Sequence, residues 1–192
     1  MGHREDLLEG AKRCLLEKGY GRTTARDIVA ASGTNLASIG YHYGSKDALL
    51  HQAFLALTEE WGEAVGPART EGAGSAPADP YDRFEGVWEK VIAAFEESRK
   101  VWKLQLEVVT RLDDDEVLRE AIKEPQREGR LGMAEAFLGI DPEADPEKAR
   151  AAGLLVQALV AGVMIQWLVD PETAPSAKDL TEGLKVIMGE KG

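Results

Sequence analysis

Cysteine occurs once in the 192 residues, at Cys14, and histidine only at His3, His42 and His51. One thiol cannot close an internal disulfide or build a cysteine-based zinc site, so a reducing interior is the expected compartment. Strand-like alternation is missing as well, and apolar residues recur at helical spacing almost throughout. With 8 prolines and 20 glycines in a chain 44% hydrophobic and 30% charged, the composition excludes collagen-like and disordered classes. The length fits one or two domains with a hydrophobic core. No run is long enough to be a clear membrane span. The longest, GLLVQALVAGVMIQWLV from Gly153 to Val169, falls slightly short, carries Gln157 and Gln166, and reads as a buried helix. The opening MGHREDLLEG is too charged for a secretory signal. A cytoplasmic protein with no membrane partner is therefore expected.

Charge of positive sign is also scarce: 23 Lys and Arg stand against 34 Asp and Glu, a formal net of −11. Taken whole, that argues against a nucleic-acid partner. The deficit is uneven, however. Residues 1–50 hold seven basic and six acidic side chains, whereas residues 51–192 hold 16 and 28. Such asymmetry suggests two modules with different partners, because repulsion from a polyanion is then confined to the part held away from it. Charge alone does not separate this from an acidic protein with uneven sampling.

Helix signals divide the first module into short pieces. Leu7, Leu8, Ala11, Cys14 and Leu15 form one stripe of a helix over about 4–18, closed by Gly19. Thr24 and Asp27 have capping-box spacing and open a short helix with Ala25, Ile28 and Val29 inward, ending at Ser32-Gly33. Asn35 can cap a third helix through about Tyr41, and Ser45 a fourth to about Val65 along Leu49, Leu50, Ala53, Leu57 and Trp61. GPARTEGAGSAPADP, about 66–80, reads as a flexible linker. Further helices are expected over about 80–98, 100–111, 114–138 with an interruption near Glu124-Pro125, 146–169 and 177–189.

Two short helices around a Ser32-Gly33-Thr34 turn follow the helix-turn-helix pattern, which sets the second helix outward where it can enter a major groove about 12 Å wide. That helix carries Asn35, Ala37, Ser38, Tyr41 and His42 around a single anchoring Ile39. The ordered set Thr24, Arg26, Ile28, Val29, Ser32, Gly33, Ile39, Tyr41, His42, Tyr43, Ser45, Lys46, Ala48 and Leu49 resembles the DNA-binding signature of TetR-family transcriptional regulators over about residues 4–57. Gly40 departs from it, standing where many members have a tyrosine. Thr24 and Lys46 are the expected phosphate contacts, at helix starts. Asn35, Leu36, Ala37 and Ser38 lie at the end of the third helix that meets base edges, and Tyr41 and His42 one turn on. Each has a plainer role available: Thr24 as a cap, Lys46 as a solvated cation, His42 as structural. Tyr43 is expected in the core.

The resemblance implies an all-α protein with an N-terminal helix-turn-helix DNA-binding domain, residues 1–50, and a larger helical effector-binding and dimerisation domain, residues 51–192. The implied function is a ligand-responsive regulator, a repressor, on a near-palindromic duplex operator. Trp88, Trp102, Gln105, Met133, Phe137, Gln166 and Trp167, aromatic, sulfur-containing or polar on apolar stripes, are the effector-pocket candidates beside a core-packing role. Ala151–Val169 is apolar around most of its circumference and, with Leu180, Leu184, Ile187 and Met188, is expected to form a two-fold interface between copies, or else the central helix of a monomer. An all-helical enzyme is the alternative from another class. It would need convergent carboxylates with His, or a nucleophile beside a base. The histidines all lie near the N-terminus and Asp113-Asp114-Asp115-Glu116 reads as a solvated helix start, so no catalytic residue, metal or cofactor is expected. A helical interaction protein without DNA binding is the third reading.

Overall fold

The computed structural model describes residues 2–65 and 79–189, which form helices and no strand. In chain order they are α1 (His3–Lys18), α2 (Ala25–Ser32), α3 (Leu36–Tyr43), α4 (Lys46–Val65), α5 (Pro80–Glu97), α6 (Arg99–Val109), α7 (Glu116–Leu138), α8 (Pro146–Val169) and α9 (Ala177–Met188). The linker expected at about 66–80 lies outside the described residues except for its end, where Asp79 caps α5 and Pro80 takes its first position.

The chain divides into two compact units. One joins the helices up to Trp61 with Lys100–Pro125; the other joins Gly62–Arg99 with the chain after Pro125. This differs from a division at residue 50, and the cause is the core. Leu7, Leu15, Ile28, Ile39, Leu49, Leu50 and Phe54 share one buried cluster with Leu104 and Val108 of α6 and Leu118 of α7. Helices too short to stand alone in water gain their stability from that shared burial. α1 packs along α2, and α3 lies against both. Gly10 makes the first of these contacts possible: a Cβ there would sit 2.8 Å from the Cβ of Ser32. Tyr43 closes the module from inside, its hydroxyl donating to the Arg4 carbonyl at 2.7 Å.

In the second unit Phe84, Trp88, Val91 and Phe95 form the buried stripe of α5. Ala134 and Phe137 of α7 and Ala149, Val156, Val160, Val163 and Met164 of α8 are buried too, and α9 packs against α5. The Arg99 guanidinium donates to the carbonyls of Trp167 (3.4 Å) and Leu168 (3.1 Å), satisfying acceptors that the end of α8 leaves open.

Two expectations are corrected. α7 is not interrupted at Pro125; that residue sits inside a continuous 23-residue helix. Its missing N–H and ring crowding are local penalties, and burial of Leu118, Ala134 and Phe137 on either side outweighs them. α8, whose apolar run was expected to fall slightly short of a membrane span, extends over 24 residues from Pro146 to Val169. It is long and apolar enough to cross a membrane by length and composition, yet only 28% of that window is buried. Leu154, Leu155, Ile165 and Val169 of α8 are exposed, as are Val186, Ile187 and Met188 of α9.

Candidate nucleic-acid interface

Capping builds the motif. At the start of α2 the Thr24 hydroxyl accepts from the Asp27 N–H at 3.2 Å and donates to the Asp27 carboxylate at 2.7 Å, while the Thr24 N–H donates to the same carboxylate at 2.9 Å. This is the reciprocal capping box that the spacing implies. The helix stops where Gly33 turns left-handed, at φ 68° and ψ 21°. Two residues later the Asn35 side chain accepts from the Ser38 N–H at 3.1 Å and starts α3. Ser45 does the same for α4, accepting from Ala48 N–H at 3.0 Å.

A short helix so placed has one anchored face and one free face. Ile39 and Tyr43 point into the core. Asn35, Leu36, Ala37, Gly40 and Tyr41 are exposed, Leu36 at 53% and Tyr41 at 86%. His42 is half-buried and meets the Tyr41 ring edge-on at 4.8 Å. Ser38 is 9% exposed, at the covered edge of that face. Thr24 is exposed and Lys46 half-buried. The Lys46 ammonium lies 3.0 Å from the Asp47 carboxylate, a surface pair that a phosphate can displace at little cost.

Electrostatics around Thr24 matter because a carboxylate beside a phosphate contact is repulsive. The Lys18 ammonium lies 2.5 Å from Asp27. Together with the Thr24 hydrogen bonds it holds the Asp27 carboxyl well below the usual carboxylate range. The pair is thus locally neutral, and the free amides of α2 and exposed Arg22 and Arg26 set the sign there.

The effector candidates fall in two places. Trp102 and Gln105 belong to the first unit, where Trp102 is buried edge-on against Trp61 at 4.3 Å. In the second unit Trp88 is fully buried and packs on Phe137 at 5.3 Å and Phe84 at 6.2 Å. Among the described residues its indole N–H has no hydrogen-bond partner. Met133 is half-buried, and Trp167 leans on Phe95 at 6.1 Å. Gln166 is exposed, its amide directed to the Gly162 carbonyl of its own helix.

Sequence reasoning missed what fixes the motif from behind. Glu107 of α6 accepts from the Tyr20 and Gly21 amides, and His51 Nε2 lies 3.1 Å from Asp115 Oδ2. Those partners are separated by 64 to 87 residues, so no local pattern signals them. Tyr20, Gly21, Lys46, Asp47, Arg111, Asp114 and Asp115 also line a polar cleft of about 220 Å³.

A capped, outward-facing second helix on a three-helix base defines a helix-turn-helix transcriptional regulator. The chain belongs to the TetR family: residues 7–53 match bacterial regulatory proteins of the tetR family, and residues 80–182 match the C-terminal region of BetI-type transcriptional repressors. Members of this class are regulators and not enzymes. The HTH-type transcriptional repressor AcnR of Corynebacterium efficiens is 42% identical over 57 residues, 30% of this chain and 28% of that protein. The repressor Rv1474c of Mycobacterium tuberculosis is 40% identical over the same length and shares. The matched region thus spans under a third of these curated relatives. Likeness of fold covers nearly the whole chain. A TetR-family transcriptional regulator from Mesorhizobium loti superposes with a TM-score of 0.72 at 15% identity, covering 96% of each chain. The multidrug binding protein EbrR, solved with proflavin, superposes at 0.66 and 20% identity, covering 97% of this chain and 99% of that one.

Proposed function

We propose that this regulator is a cytoplasmic repressor that grips a near-palindromic duplex operator as a homodimer and responds to a small molecule held by its C-terminal helices. The observation that carries the reading is the free face of α3: Asn35, Leu36, Ala37 and Tyr41 exposed on a helix whose other side is pinned by Ile39 and Tyr43. In this reading DNA contact stays within residues 1–50. Asn35, Leu36 and Ala37 meet base edges, with Ser38 at their inner edge. Tyr41 and His42 meet backbone or a flanking base, and Thr24 and Lys46 take phosphates.

The exposed apolar rows of α8 and α9 support pairing of two copies. Isolated apolar side chains are ordinary on a surface, but seven large ones exposed on two helices leave apolar area that water disfavours. Two-fold pairing would set the recognition helices about 34–36 Å apart, one turn of duplex. The Trp88 indole N–H, without a partner among the described residues and set in an aromatic cluster, supports an effector that brings a hydrogen-bond acceptor. Such a ligand acts by preferring one of two conformations, and a coupling of about 1–3 kcal/mol changes DNA affinity about 5–150-fold.

The test is a titration against a duplex selected by the wild-type protein from a randomised pool, at several salt concentrations. Lys46→Ala is expected to weaken binding to all sequences and to reduce the salt slope by about one. Substitution of Ala37 is expected to change which duplexes are selected. Identical losses on selected and random DNA for both variants would refute the assignment.

A further inference from the structure

The turn that joins α1 to α2 is held by a residue far away in sequence. The Glu107 carboxylate of α6 accepts from the Tyr20 N–H at 2.9 Å with one oxygen and from the Gly21 N–H at 2.7 Å with the other. Arg111, in the turn that follows α6, lies 3.8 Å from the same carboxylate and places its guanidinium 5.3 Å over the Tyr20 ring. The seat packs closely on the two glycines of the turn. A Cβ on Gly19, whose φ is +82°, would lie 2.5 Å from the Glu107 carboxylate, and one on Gly21 would collide with the Arg111 guanidinium. Tyr20 is itself buried and stacked on His51, which is fastened to Asp115. Beyond the turn the Thr23 hydroxyl donates to the Gly19 carbonyl at 2.7 Å, and Thr24 opens α2.

We propose that Glu107 is a positioning residue for DNA docking, its carboxylate holding the Tyr20-Gly21 turn so that Thr24 and the helix-turn-helix start in the pose that fits the duplex. The inference rests on the DNA-contact reading above. A carboxylate bridging two backbone amides forms charge-assisted bonds, stronger and more directional than neutral ones. Without them the turn samples other poses, and apparent affinity falls by the fraction of time the docking pose is lost. No phosphate or base contact is removed.

In the full-length protein, Glu107→Ala is expected to weaken binding to the selected duplex by about tenfold. The salt slope should be unchanged, since the number of phosphate contacts is the same. Glu107→Gln keeps a carbonyl oxygen for one amide and is expected to recover part of the loss. A merely structural role would instead lower the melting temperature while leaving duplex affinity at 25 °C at the wild-type value, which would overturn the proposal. Should Glu107→Ala fail to melt cooperatively, Glu107→Gln decides. Faster amide exchange at Tyr20 and Gly21 with weakened duplex binding supports the role, and faster exchange with wild-type affinity overturns it. Lys46→Ala, run alongside, keeps the two readings apart. If it flattens the salt slope while folded Glu107→Ala binds normally, only the positioning role falls. If Lys46→Ala also changes nothing, the DNA-contact reading itself has failed.

Discussion

Gly153 offers a sharp test of how the second unit is packed. It is buried on α8 against the backbone of Arg130 on α7. A Cβ added there would fall on the Arg130 carbonyl, with the carbonyl carbon at 2.7 Å and the Cα at 3.2 Å. Carbon atoms pack at about 3.5–4.0 Å, so Gly153→Ala requires the two helices to move apart by roughly 1 Å. A backbone carbonyl cannot rotate aside as a side chain can. One turn along α8, Gln157 accepts from Arg130 Nε at 2.7 Å, and that bond stretches with the same movement. Overpacking costs about 1–3 kcal/mol, and the strain here belongs at the upper end. Alanine returns about 1 kcal/mol through its better helix propensity. The net expectation is a loss of about 2 kcal/mol, a fall in melting temperature of about 4–8 °C for a chain this long. Circular dichroism melts at matched protein concentration measure it, since association makes melting depend on concentration. Gly129→Ala, exposed on α7 with nothing within 4 Å of the new Cβ, is the control and should gain up to about 1 kcal/mol. A Gly153→Ala protein that melts with the wild type, or above it, refutes the close approach of α7 to α8.

Thr24→Ala removes the acceptor for the Asp27 N–H and is expected to cost about 1 kcal/mol in chemical unfolding, with Thr24→Ser close to wild type; equal midpoints for both would contradict the capping role. Lys18 first, and then Thr24, stabilise the ionised form of Asp27 only when the chain is folded, so its carboxyl lies below the ordinary value. Stability from that group is therefore complete above about pH 4 and is lost as pH falls through the lowered folded value. Acid titrations should show a shallower decline below about pH 4 for Asp27→Asn than for the wild type. Ile187, exposed at 81%, is expected to lie between copies in solution. Light scattering should find the wild type at twice the chain mass, Ile187→Glu nearer the single-chain mass, and operator binding weakened with it; a monodisperse wild-type monomer would remove the dimer from the proposal.

Much of the DNA-facing module was legible because its signals are local. Thr24 and Asp27 are three residues apart, Gly33 marks a helix stop, and Asn35 and Ser45 each cap a helix from an adjacent position. α3 nevertheless ends at Tyr43, beyond the expected Tyr41, because its last turn is closed by the Gly44 N–H reaching the Gly40 carbonyl. The aromatic residues of the second half were less informative. Trp88 and Trp102 look alike as stripe residues, yet one joins Phe84 and Phe137 while the other meets Trp61 in a different unit. Periodicity assigns a residue to the inward face of a helix and says nothing of what waits opposite.

Capping pairs, apolar spacing and glycine stops are interactions within a few residues, so sequence alone placed the short helices of the helix-turn-helix, while the continuity of α7 through Pro125 came from its packing. Which helices share a core was decided only by the folded chain. α6 and the start of α7 complete the burial of Leu7, Ile28 and Leu50, and Glu107 meets the Tyr20-Gly21 turn across 87 residues. Burial and charge pairing act between surfaces brought together in space, and those surfaces exist only once the helices have packed.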